Sequence, residues 1–228
     1  MVAAVPEAPL MAQANRAFLR RAVHHLAEAG VRQFLDIGSG IPTVGNVHEI
    51  AQRLDPQSRV VYVDVDPVAV AHSREILAGN ERAAVVQEDL RHPEAILAHP
   101  DVRKLLDLNQ PVAVMVVAVL HFVPDDDRPA ELLRTLRDAL APGSYLVLSQ
   151  ASKDGRSDDE RAEAERVYRR TDNPLWIRDR AELTALFDGF ELLDPGVVWV
   201  PQWRPDTPES AEDAERAVFM GGVGRLGG

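Results

Sequence analysis

Residues 34–40, Phe-Leu-Asp-Ile-Gly-Ser-Gly, constrain this chain more than any other stretch. A short apolar run that delivers a carboxylate, Asp36, and then passes Gly38 and Gly40 reads as a buried β-strand turning into a helix. A second apolar run, residues 60–63, ends in Asp64. Two such strands are buried together in a parallel sheet covered by helices on both faces, and their acids then reach one edge. That edge is where open α/β sheets hold nucleosides.

The rest of the chain repeats the pattern. Leu10, Ala14, Phe18, Ala22 and Leu26 recur every fourth residue, which predicts a long first helix stopped by Gly30. Strands are expected at residues 33–37, 59–63, 84–86, 111–120 and 145–149. Helical stripes fall between them, through Val44 to Leu54, after the N-cap pair Asp66-Pro67, over residues 93–99 and through Leu132 to Leu140. Residues 152–165 are polar and acidic, a loop leading to an exposed helix through Tyr168. Asp179 and Glu182 have capping-box spacing. Residues 197–203 and 217–223 read as two further strands, an antiparallel edge hairpin around a mobile, Pro- and acid-rich loop at 204–216. The fold class is therefore α/β, a doubly wound and mostly parallel sheet. It is expected as one domain over 1–228: an N-terminal helix to residue 30, a cofactor-binding half over 31–150 and an acceptor-side half over 151–228.

Composition narrows the function. With 25 basic and 36 acidic residues the net charge is −11, which disfavours a nucleic-acid partner. There is no cysteine, which excludes thiolate metal sites and a cysteine nucleophile. No apolar run approaches membrane-spanning length, and the first residues lack a signal peptide's basic flank, so the expected location is cytoplasmic.

Three ligands compete for the crevice. A nucleoside triphosphate would want a lysine in the first loop, and none is there. A dinucleotide would want a third glycine where Thr43 stands, and Asp36 would repel its diphosphate. S-adenosylmethionine is cationic at its ammonium and its sulfonium. Asp36 suits that ammonium, while Gly38, Ser39 and Gly40 let the backbone approach. Asp64, with Val65 beside it, suits the ribose hydroxyls. Asp89 and the Leu90 amide suit the adenine, and Ala118, after the central strand, completes the expected cofactor wall.

Residues 34–43, 61–67, 120–125 and 140–145, with Trp203-Arg204-Pro205 and Gly221-Gly222-Val223-Gly224, resemble class I S-adenosylmethionine-dependent methyltransferases. The resemblance runs from about Ala3 to Arg225 and is strongest to a bacterial family named S-adenosyl methyltransferases. It implies a seven-stranded Rossmann-like methyltransferase sheet with the cofactor at Asp36, Gly38, Gly40, Asp64 and Asp89. It also implies in-line methyl transfer that leaves S-adenosylhomocysteine. The chain departs from the pattern in two ways. Pro42 stands where a third glycine is common, and the sequence starts after a Tyr-Asp-Tyr-type segment found in the closest family, which leads us to expect a more open pocket.

His121 follows the central strand and is the candidate general base; packing at the strand end is its structural alternative. Tyr168 and Trp199 are candidate substrate contacts, with edge packing as the alternative. Asp125, Asp126 and Asp127 read as a helix start, and no metal is expected. The expected partner is a small-molecule acceptor, with no nucleic acid and no membrane. A NAD-dependent oxidoreductase and a non-catalytic protein binding S-adenosylmethionine or S-adenosylhomocysteine are the rival readings.

Overall fold

The computed structural model describes residues 8–41, 45–155 and 175–228. Helix α1 (Ala8–Glu28) buries Phe18, Ala22, Val23 and Leu26 completely, the stripe that its four-residue period dictates. Strands β1 (Gln33–Ile37), β2 (Arg59–Asp64), β3 (Ala83–Gln87), β4 (Ala113–Val117) and β5 (Tyr145–Ala151) form a parallel sheet. Helices α2 (Val47–Leu54), α3 (Pro67–Ile76), α4 (Pro93–Ala98), α5 (Pro100–Leu105) and α6 (Pro129–Asp138) connect them. Asp66 caps α3 by accepting from the Val68 amide at 2.8 Å. Asp179 and Glu182 form their capping box around the helix Arg180–Ala185.

Among the described residues the sheet has eight strands; with β6 at Phe190–Leu192 and β8 at Phe219–Leu226, their order is β3-β2-β1-β4-β5-β8-β6, and β7 (Val198–Trp199) also pairs with β8. β6 (Phe190–Leu192) and β8 (Phe219–Leu226) supply the antiparallel edge. Chain order runs outward in opposite directions from β1 and β4, so the switch point lies between their carboxyl ends.

The differences from the sequence reading have local causes. The strand expected over 197–203 shrinks to β7, because Pro201 lacks an amide for a ladder and the chain enters a 3-10 turn at Val200–Gln202. β6 is the eighth strand; at three residues it is too short to show alternation. The helix expected at 93–99 is α4, which ends where Pro100 keeps His99 out of helical geometry; α5, which follows it, was not expected. The central strand stops at Val117 rather than Leu120. Ala118 takes φ +58° and a 3-10 turn follows at Leu120–Phe122. The segment 204–216, expected as a loop, contains the turns Pro208–Ala211 and Ala214–Ala217, with Ala214 and Ala217 buried. In β8 a side chain on Gly221 would meet the Leu148 carbonyl at 2.7 Å, which explains glycine at that position.

Candidate functional site

Two adjoining cavities open at the switch point. The first, about 490 Å³, contains Asp64, Val65, Asp89 and Leu90 in its wall. The second, about 420 Å³, is lined by Asp36, Ser39, His121 and the α1 residues Asn15, Arg16 and Leu19. Gly38, Gly40, Ala118 and Phe122 belong to both. Nine of the sequence-derived cofactor residues therefore converge here, and His121 joins them. Trp199 does not: it is buried at the sheet edge, pairs with Met220 and lines neither cavity. Edge packing accounts for it. Tyr168 lies outside the described residues.

Gly38 sits at φ +75° with its α-carbon against Val119; a β-carbon there would approach Val119 Cγ2 to 2.2 Å. The amide of Gly38 donates to the Val63 carbonyl at 2.7 Å, which ties the glycine loop to β2. The Gly40 amide donates to Asp64 Oδ2 at 2.7 Å, and the Asp66 amide to Asp64 Oδ1 at 2.9 Å. Asp64 is thus held by backbone at both oxygens, with a second lone pair left on each. Asp64→Ala removes these anchors. With Asp64 assigned to the ribose hydroxyls, as the sequence leads us to expect, the substitution should weaken S-adenosylhomocysteine binding by about 1–3 kcal/mol in calorimetric titration. An unchanged affinity would place the ribose elsewhere.

Asp36 is only 5 % exposed. Burial, then the neighbouring charge of Asp64, raises its pKa to about 7, while Arg16 works in the opposite direction. Among the described residues no hydrogen-bond donor answers its carboxylate. A buried acid beside a second acid is a site that a cation satisfies. The cavity wall adds Glu88 and Asp89, so the crevice is rich in acceptors and poor in the backbone-and-lysine chemistry of a phosphate site. These residues fit S-adenosylmethionine and oppose a diphosphate.

Three contacts at the site have no local sequence signal. Arg91 grips Asp89, with Nε at 3.1 and 3.0 Å from the two carboxylate oxygens and Nη2 at 2.5 Å, and lowers the Asp89 pKa chiefly through these bonds. Asp89 therefore meets any adenine amino group as an already paired carboxylate. Arg178, 6 % exposed, donates to the Leu120 carbonyl at 3.4 Å, the Val123 carbonyl at 3.3 Å, Gln150 Oε1 at 3.1 Å and Asp125 Oδ1 at 2.5 Å. It fastens the turn that carries His121, whose own carbonyl accepts from the Trp176 amide at 2.8 Å. Asn15 accepts from Ser149 Oγ at 2.5 Å, which locks α1 over the carboxyl end of β5. Local sequence gives no sign that Arg178 meets residues more than fifty positions earlier.

His121 is buried, with its ring beside Phe122 and Phe219 and its Nδ1 without a partner among the described residues. Burial, then the Arg178 charge, lowers its pKa to about 4. The ring is neutral at physiological pH and able to accept a proton or a hydrogen bond. The described residues contain no cluster of side chains that could hold a metal ion. None of their helices is long and apolar enough to cross a membrane.

A family model described as S-adenosyl methyltransferase matches residues 1–227. A candidate methyltransferase from Thermobifida fusca YX is 41% identical with a TM-score of 0.90, over 98% of this chain and 84% of that one. A DUF574 family protein from Streptomyces avermitilis MA-4680 is 42% identical with a TM-score of 0.89, over 97% and 86%. An O-methyltransferase family protein from Burkholderia thailandensis shares the fold at 14% identity and a TM-score of 0.61, over 92% and 55%. No curated protein matches.

Proposed function

Since the chain belongs to the S-adenosyl methyltransferase family, and is a methyltransferase dependent on S-adenosylmethionine, we propose that its acceptor is a small molecule held in the second cavity. One observation carries this reading: the acid-walled cavity and the cavity containing His121 meet over Gly38, Gly40 and Ala118 at the sheet's switch point. When bound, the cofactor supplies an electrophilic methyl on a sulfonium. Asp36 would hold its ammonium, Asp64 its ribose, and Val65, Asp89 and Leu90 its adenine end. The glycine loop, fixed to Val63 and Asp64, keeps these acceptors in register.

The chain's further contribution is positioning. Reactants held in attack geometry gain up to about 7–11 kcal/mol over free encounter. Leu19, Phe122 and Phe219 offer apolar walls to an acceptor, and Asn15 and Arg16 offer polar contacts at the same cavity. His121, neutral and buried, accepts the hydrogen bond of the nucleophile and takes its proton where the acceptor must lose one. The acidic surface and the modest cavity volume, about 420 Å³, favour a small acceptor over a polymer.

The test is a labelling experiment. The purified chain is incubated with methyl-tritiated S-adenosylmethionine and a bacterial extract, which is then divided at about 1 kDa. We expect His121-dependent label in the small-molecule fraction. Label confined to protein or RNA would contradict the small-molecule reading.

A further inference from the structure

We propose that a cleft between the C-terminal half of α1, α2 and the segment after β7 binds a small phosphate-bearing anion. The cleft encloses about 460 Å³ and shares no residue with the two cavities at the switch point. Arg20 and His24 reach it from α1, Arg53 from α2 and Arg204 from beyond β7. The chain as a whole carries a charge of −11, yet four arginines here face only two acids, Glu28 and Asp206.

The groups of the cleft divide into scaffold and free charge. Arg21 is scaffold: Nε donates to the Trp203 carbonyl at 2.9 Å and Nη2 to the Val200 carbonyl at 2.7 Å. Glu28 faces His24 at 3.2 Å. Arg204 is set in place by three constraints. Its backbone takes φ +45°, its guanidinium lies over the Trp203 ring at 5.4 Å, and Nη1 stands 3.2 Å from His25 Nδ1. Arg20 and Arg53 make no ion pair with any described residue. Three guanidinium groups from three chain segments thus line one concave space, in which Asp206 lies within Coulombic reach of the scaffold residue Arg21.

Gathering like charges costs Coulomb energy that an anion between them returns. Guanidinium forks grip oxyanions through paired N–H donors. Phosphate offers three oxygens to three arginines, where a carboxylate offers two. The acids lining the cleft and the acidic remainder of the surface work against a long polyanion, so the ligand is a compact one.

Inorganic pyrophosphate is the probe, titrated calorimetrically into the full chain at about 0.15 M NaCl, where charges beyond roughly 8 Å are screened. We expect saturable one-to-one binding, weakened at least tenfold in Arg20→Gln/Arg53→Gln and little changed in Arg74→Gln, an exposed arginine outside the cleft. The double variant should melt at or slightly above the wild-type temperature without anion, since neither side chain has a partner to lose and like-charge repulsion is relieved. Binding that never saturates, or that falls equally in the Arg74 variant, would overturn the proposal and leave a solvated basic face. Arg204→Gln provides a second reading: it too should weaken pyrophosphate binding, and unaltered binding would remove Arg204 from the site.

Discussion

Asp36→Asn should make the ligand-free protein more stable at pH 8 and nearly indifferent at pH 4. Folding raises the Asp36 pKa from 3.8 to about 7. Between those values the unfolded chain releases its proton and the folded chain keeps it, so stability falls as pH rises through that window. Above pH 7 the folded state carries the whole penalty, up to about 4 kcal/mol for a shift of this size. Asparagine keeps the shape and never ionises. Urea melts at the two pH values should therefore show a variant advantage that is large at pH 8 and small at pH 4. The same substitution should weaken S-adenosylhomocysteine binding by about 1.5–3 kcal/mol, because the ammonium loses a charged acceptor. Wild-type affinity should rise with pH toward 7 as Asp36 ionises, and the variant's should not. Equal stability profiles would mean that Asp36 is solvated after all.

Arg178→Ala is expected to cost about 2–4 kcal/mol, because it strands two turn carbonyls and empties a buried site. Loss of stability alone would not assign Arg178 a role at the cavity, so the ring of His121 is the sharper readout. Arg178 is the charge that, after burial, holds the His121 pKa down to about 4. Its removal should move the His121 titration, followed by ring NMR, upward toward 6.5. Arg178→Lys should keep much of the charge effect while losing the fork that reaches Leu120, Val123, Gln150 and Asp125 together. A His121 titration unmoved in both variants would make Arg178 a packing residue only.

Much of the fold was readable because each strand advertises itself twice, by apolar composition and by the residue that ends it. β1 and β2 finish in Asp36-Ile37-Gly38 and Asp64, and Asp66-Pro67 opens α3 as its residue types require. The short edge strands were harder. β6 has three residues and β7 two, so their pairing is decided by β8 rather than by any local pattern. The convergence of the acids on one crevice was legible for the same reason as the strands: topology carries the ends of parallel strands to one place. The His121 side was legible only in outline. That Arg178 pins its turn, that Arg91 occupies Asp89, and that Trp199 is used for packing are consequences of long-range contacts. Asn15 and Arg16 lie on an amphipathic helix, and the packing of α1 over β5 brings them to the second cavity.

A single pair of titrations tests the central claim that this acid-lined crevice receives a cationic sulfur nucleoside. S-adenosylmethionine and NAD are each titrated calorimetrically into the ligand-free chain at pH 8. The account predicts micromolar or tighter one-to-one binding of S-adenosylmethionine, weakened at least tenfold by Asp36→Asn, and no heat from NAD. Saturable binding of NAD with no response to S-adenosylmethionine would contradict it.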